Sequence, residues 1–128
     1  MRLISHRGNV DGKYPQYENL PEYVDKALDL GYDVEVDLWI DNDGFYLGHD
    51  EPTYPIDLKW LTDRYLHLWI HCKDLRTLSE MRELQLEMLV DLNYFFHNTD
   101  DSTITSKGDL WVYPGKQPVK NSIAVIPE

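Results

Sequence analysis

Residues 33–40 alternate without a break. Val34, Val36, Leu38 and Ile40 fall on one face of an extended segment, and Glu35, Asp37 and Trp39 on the other. So clean an apolar face needs cover, and a layer of helices is the usual cover for a strand of this kind. The opposite face then turns two carboxylates toward the interior, where an unpaired charge is costly. Two residues apart on a strand, Glu35 and Asp37 project the same way about 7 Å apart, near enough to converge on one divalent cation. A half-exposed strand with solvated acids is the other reading, and the pattern alone leaves both open.

Strand and helix signals alternate along the chain and favour an α/β architecture with a mostly parallel sheet. Leu3 to Ser5 is a short apolar strand ending at His6-Arg7-Gly8. Asn19-Leu20-Pro21-Glu22 reads as a helix start, with Asn19 as N-cap and Glu22 closing a capping box. Leu20, Tyr23, Val24, Ala27 and Leu28 recur at helical spacing, and Gly31 is the natural stop. Asp43-Gly44 is a turn before a return strand, Phe45 to Leu47, that ends at Gly48-His49-Asp50. A short helix is expected from Asp57 to about Tyr65, a strand over Leu66 to Cys72, and a helix from Asp74 to about Leu84. Met88 to Val90, Tyr94 to Phe96, Leu110 to Tyr113 and Ile123 to Ile126 are strand-like. From about Ser102 helical periodicity is weak, so the later crossovers read as loops.

A chain of 128 residues holds one domain, 1–128, with a real core. Its four Trp and nine Tyr exclude a disordered tail. The formal net charge of −11 repels phosphate backbones, so nucleic acid is not an expected partner, and an anionic substrate must be met by local cations or a metal. The single cysteine, Cys72, reads as a buried core thiol compatible with a reducing compartment. Met1 to His6 shows no signal-peptide core, and no apolar stretch approaches the ~20 residues of a membrane span. A soluble, cytoplasmic protein is the expectation.

His6 and Arg7 lie at the end of the first strand, and His49 follows the hairpin from the second. Sites of α/β proteins form at the C-terminal ends of strands, where these groups would meet Glu35 and Asp37. The run Ile4-Ser5-His6-Arg7-Gly8, then Glu18-Asn19, Ala27 to Gly31, Val34-Glu35-Val36-Asp37-Leu38 and Gly48-His49-Asp50 resembles the glycerophosphodiester phosphodiesterase family. The ordered match covers residues 3–50 and continues more weakly at Ile70-His71-Cys72-Lys73.

The resemblance implies a TIM-like β/α barrel, a metal-dependent cleavage of a glycerophosphodiester-like small molecule, and a role for each matching residue. His6 and His49 would be the acid/base pair and Arg7 a phosphate ligand. Lys73 would lie near the phosphate, and Glu18 would hydrogen-bond within the site. Glu35 and Asp37 would bind one divalent cation, Mg²⁺ or Ca²⁺. The third metal ligand falls at His71, where the family has Glu; an imidazole there weakens Mg²⁺ or Ca²⁺ binding and admits Mn²⁺ or Zn²⁺. His71 as a strand-end histidine hydrogen-bonded inside the barrel stays open beside that role. So do two other functions: a non-catalytic relative that binds a phosphorylated ligand or a partner, and a lyase that stops at a cyclic phosphate.

Phe96-His97-Asn98-Thr99-Asp100-Asp101 and Tyr113-Pro114-Gly115-Lys116 follow strands. They make His97 and Tyr113 candidates for substrate contact, whereas Asn98, Asp101 and Gly115 read as turn residues. Trp39, Trp69 and Trp111 read as core. A full barrel takes ~250 residues and eight strands, and about six barrel-type strands are visible here. The expected fold is therefore a partial or truncated barrel. Its open edges suit a fragment, a compact natural form, or a homodimer that covers them.

Overall fold

The computed structural model describes residues 3–88, 91–97, 102–112 and 122–125. Its centre is β2 (Asp33–Asp41), where period-two alternation became a strand buried on both faces. β1 (Leu3–His6) pairs with it in parallel, setting His6 opposite Glu35. β5 (Leu68–Cys72) also pairs in parallel and sets His71 opposite Asp37. β3 (Gly44–Leu47) returns antiparallel through the Asp43-Gly44 turn, and β4 (Tyr54–Ile56) pairs with β3. Leu38 faces Leu47 on one side and Cys72 on the other, so β3 and β5 occupy opposite edges of β2.

Beyond β5 lies β6 (Tyr94–Phe96), and beyond β1 lie β9 (Ser122–Val125), β8 (Leu110–Val112) and β7 (Ser102–Ile104). α1 (Pro21–Asp29), α2 (Leu58–Thr62) and α3 (Leu75–Met88) complete the described elements. Val34, Val36 and Leu38 are fully buried in one cluster with Val24, Ala27, Ile70 and Met81. Each such side chain contributes about 1.5–3 kcal/mol by leaving water. Among the described residues, no helix is long and apolar enough to cross a membrane.

The expected partial TIM-like barrel is not what forms. The sheet is mixed and open: among the described residues β6 pairs with β5 alone, and β7 runs antiparallel to β8. Helices follow β1, β4 and β5, and among the described residues none follows β6, so the strand–helix alternation a β/α barrel requires stops there. In place of a closing ladder, the segment after β7 is stapled to the β6 edge. Ser106 N–H donates to the Tyr94 carbonyl (2.7 Å) and Tyr94 N–H to the Ser106 hydroxyl (2.9 Å). These bonds satisfy backbone groups that an exposed edge would offer to another chain.

Local expectations fare unevenly. α1 begins at Pro21 and ends before Gly31, whose φ of 94° suits glycine. Asn19, however, is not its cap: Leu20 holds that place without a side-chain bond, and the capping box is absent. Asp57 does cap α2, accepting from Trp60 N–H. α3 runs on to Met88, which is therefore helical rather than strand-like; residues 89 and 90 lie outside the described residues. β4 and β7 were not foreseen, being three residues each and too short to show alternation.

Candidate active site

Side chains two apart on each parallel strand share the sheet face away from α1 and α3. That face has an apolar floor of Ile4, Trp69, Phe95 and Trp111. Phe95 and Trp111 stack at 4.7 Å between ring centroids, and Trp69 meets Trp111 at 6.1 Å. One residue-pair further along the strands come His6, Glu35 with Asp37, and His71. They line a cleft of about 120 Å³ together with Arg7, His49, Lys73, His97 and Trp111, Asp37 lying just behind them. The structure thus gathers His6, Arg7, Glu35, His49, His71 and Lys73 on one cavity. Trp111 is at once core and wall, and His97 reaches the cleft as well. Tyr113, Asn98, Asp101, Gly115 and Ile126 lie outside the described residues.

Glu35 and Asp37 are each 1 % exposed, which removes the reading in which they are solvated. Their surroundings differ. Glu35 has His6 Nε2 at 3.0 Å from Oε2, while its Oε1 meets no hydrogen-bond donor among the described residues. Asp37 is held from several sides: Asn19 Nδ2 donates to Oδ2 (2.9 Å), Arg7 Nε lies 3.1 Å from Oδ2, and His71 Nδ1 lies 3.1 Å from Oδ1. Lys73 Nζ stands 3.9 Å away. Burial opposes the Asp37 charge, but the His71 contact, Arg7 and Lys73 outweigh it and hold its carboxyl well below the usual carboxylate range. Burial likewise opposes the Arg7 charge; Glu35, Asp37 and Glu18 reverse the balance and keep the guanidinium protonated.

The loop after β1 is built to place Arg7. Arg7 and Asn19 both take left-handed backbone conformations, φ 60° and 67°, a cost accepted where surrounding bonds over-determine the geometry. Arg7 N–H donates to the Glu35 carbonyl and Asn19 N–H to the Arg7 carbonyl. Glu18 accepts from Arg7 Nη1 (3.0 Å) and Asn9 Nδ2 (2.9 Å), so it orients the guanidinium. Asn9 escaped the sequence reading, and Asn19 was given no role there beyond a helix cap and a place in the Glu18-Asn19 match. Asn19 grips Asp37 twice, through the carboxylate and through Asp37 N–H, which donates to Asn19 Oδ1 (2.9 Å). The available signal was its residue type, since asparagine tolerates the left-handed region better than most. Asn19→Ala leaves two buried groups of Asp37 short of a partner and is expected to cost about 2–3 kcal/mol in urea unfolding. A loss within ~0.5 kcal/mol would remove this account of the loop.

His49 is positioned from the far side. Gly48 N–H donates to the Asp37 carbonyl, and Trp39 Nε1–H to the Gly48 carbonyl (2.7 Å). A Cβ on Gly48 would collide with the Glu51 carbonyl oxygen, so only glycine fits. The His49 ring is half-exposed, with Nδ1 2.8 Å from Asp50 Oδ1.

Glu35, Asp37 and His71 each offer a ligand atom, all within 4.8 Å of one another. Two buried carboxylates, one with an unsatisfied oxygen, beside an imidazole form a donor set that fits a divalent cation. Comparison with known proteins brings no relative to bear: no family model, no curated protein and no solved structure matches the chain.

Proposed function

We propose that this protein cleaves phosphodiesters, with His6 and His49 exchanging protons beside a divalent cation held by Glu35, Asp37 and His71. The observation that carries the reading is the shared cleft: four imidazoles, His6 and His49 among them, two basic side chains and an unsatisfied buried carboxylate oxygen around about 120 Å³. Charge supports it too. The three carboxylates of Glu18, Glu35 and Asp37 against Arg7 and Lys73 leave one negative charge. A divalent cation reverses it to one positive, the complement of a phosphodiester monoanion. The cleft is far smaller than the ~300–1,000 Å³ of pockets for drug-sized ligands, which suits a phosphoryl group with a short alcohol such as a glycerol moiety.

When bound, the cation supplies Lewis acidity toward the phosphoryl oxygens. The chain's own residues do the rest. Arg7, fixed by Glu18 and Asp37, and Lys73 neutralise the transferring group. The Asp50 carboxylate can only accept, so a neutral His49 hydrogen-bonded to it carries its proton on Nδ1 and keeps a basic Nε2. His6 Nε2 stands 3.0 Å from Glu35 Oε2, which sets its ring on the cleft. Proton transfer of this kind is typically worth ~10²–10⁴-fold. A cytoplasmic setting accords with Cys72, whose buried thiol is pushed up to about 12 by desolvation and is inert as a nucleophile.

The test is a panel of simple aryl and glycerol phosphodiesters against added divalent cations, with EDTA and His49→Ala as controls. Cation-dependent cleavage that both controls abolish is expected. Silence under every cation, with thermal stability still raised by a phosphorylated ligand, would replace catalysis with binding. Phosphorus NMR of the product separates hydrolysis from a lyase that stops at the cyclic phosphate.

A further inference from the structure

We infer that the cation at this site belongs to the nitrogen-accepting class, Mn²⁺, Co²⁺ or Zn²⁺ rather than Mg²⁺ or Ca²⁺, and that the main-chain carbonyl of His97 is the positioning group that makes His71 a ligand through Nδ1. The inference rests on the cation site proposed above and adds its chemical preference and the device that sets it.

His71 Nε2 lies 3.0 Å from the carbonyl oxygen of His97. A carbonyl only accepts, so Nε2 carries the hydrogen, and a neutral imidazole then has its lone pair on Nδ1. Nδ1 faces Asp37 Oδ1 at 3.1 Å, an oxygen of an ionised carboxylate that also offers only lone pairs. Two lone pairs facing each other at that distance require an electrophile between them: a proton on Nδ1, which makes the contact a hydrogen bond, or a metal ion that replaces it. A hydrogen bond from the remote ring nitrogen to a backbone carbonyl is the arrangement that fixes the tautomer of metal-binding histidines.

The ring cannot turn away. It stacks on Phe95 at 5.2 Å with planes 8° apart, and on the His97 ring at 5.3 Å. Asp37 Oδ2 is taken by Asn19 and Arg7, which leaves Oδ1 as the oxygen for a cation. Glu35, whose buried Oε1 has no donor among the described residues, supplies the third ligand of the group.

Donor type then selects the ion. The 3.1 Å between Nδ1 and Oδ1 suits two donors on one cation. Ca²⁺ takes about six to eight oxygen ligands in a flexible shell. Mg²⁺ likewise favours oxygen and retains water, whereas imidazole suits Mn²⁺, Co²⁺ and Zn²⁺ progressively better. A proton is the competing electrophile, and the experiment separates it from a metal.

The full chain, stripped with EDTA and dialysed, is titrated calorimetrically with the chlorides of Mn²⁺, Co²⁺, Zn²⁺, Mg²⁺ and Ca²⁺ one at a time, without substrate. Nitrogen NMR of the histidine rings follows the Zn²⁺ titration. We expect Mn²⁺, Co²⁺ and Zn²⁺ to bind at least about tenfold more tightly than Mg²⁺ or Ca²⁺. The His71 Nδ1 resonance moves to a metal-bound position while Nε2 stays protonated, and His71→Glu reverses the order of preference. Equal or tighter binding of Mg²⁺ or Ca²⁺, an Nδ1 signal that Zn²⁺ leaves untouched, or ligation through Nε2 overturns the inference. The ring NMR uses the unaltered chain, so it decides even where His71→Glu does not fold. Binding in the expected order without phosphodiester cleavage would end the functional reading and leave this one standing. Cleavage with a Mg²⁺ preference that His71→Glu leaves unchanged would do the reverse.

Discussion

Glu35→Gln is expected to lower phosphodiester turnover by about 10³-fold and to remove measurable divalent-cation binding. Its carboxylate is 1 % exposed and lines the cleft, and Oε1 has no donor among the described residues. A buried oxygen left in that state carries a desolvation cost that a cation would offset. The carboxamide keeps the volume and removes the charge, so the cation loses an anionic ligand. Lewis-acid assistance of a few kcal/mol translates to roughly three orders of magnitude in rate. The fold should tolerate the change, because an amide is cheaper to bury than a carboxylate. Calorimetric titration, steady-state turnover and thermal unfolding of the variant check all three. Turnover within tenfold of the unaltered chain would show that Glu35 holds no essential cation.

Removal of the His6 imidazole should act on the rate and spare the cation. His6→Ala is expected to lose ~10²–10⁴-fold in turnover, with cation affinity retained to within about tenfold because His6 is not among the three grouped ligands. His6 is buried at the end of β1 with Nε2 3.0 Å from Glu35 Oε2, so truncation also leaves a cavity. His6→Gln fills that space and separates packing from proton transfer: both variants should lose activity alike, along with one limb of the pH–rate profile. Full activity in His6→Gln would make the ring a structural partner of Glu35 and leave the acid to another group.

Much of this site could be read from local pattern because strand geometry is local. The alternation from Val34 to Ile40 placed Glu35 and Asp37 on one face and the aliphatics on the other, and both faces are buried. The glycine after α1, the turn at Asp43-Gly44 and the cap at Asp57 follow from dihedral preferences of single residues. The errors arose where a residue had two competing partners. Asn19, just ahead of a Leu-Pro-Glu run, carries a strong cap signature, yet its amide is engaged by Asp37, 18 residues away. Both bonds there are buried, and a buried bond to a carboxylate outweighs a solvent-exposed cap.

Closure of the sheet was beyond local reading for a related reason. About six barrel-type strands in an α/β order are compatible with a partial barrel or with an open sheet. The choice depends on whether β6 finds a strand beside it or the Ser106 segment that it does find.

What the sequence determined by itself is which side chains lie on one strand face, since period two is built into the covalent chain. Only the tertiary structure decided that His71 stands opposite Asp37, 34 residues apart, with its far nitrogen on the His97 carbonyl. Register between strands, and with it the tautomer and donor atom of a histidine, is set by pairings between distant segments that no single stretch encodes.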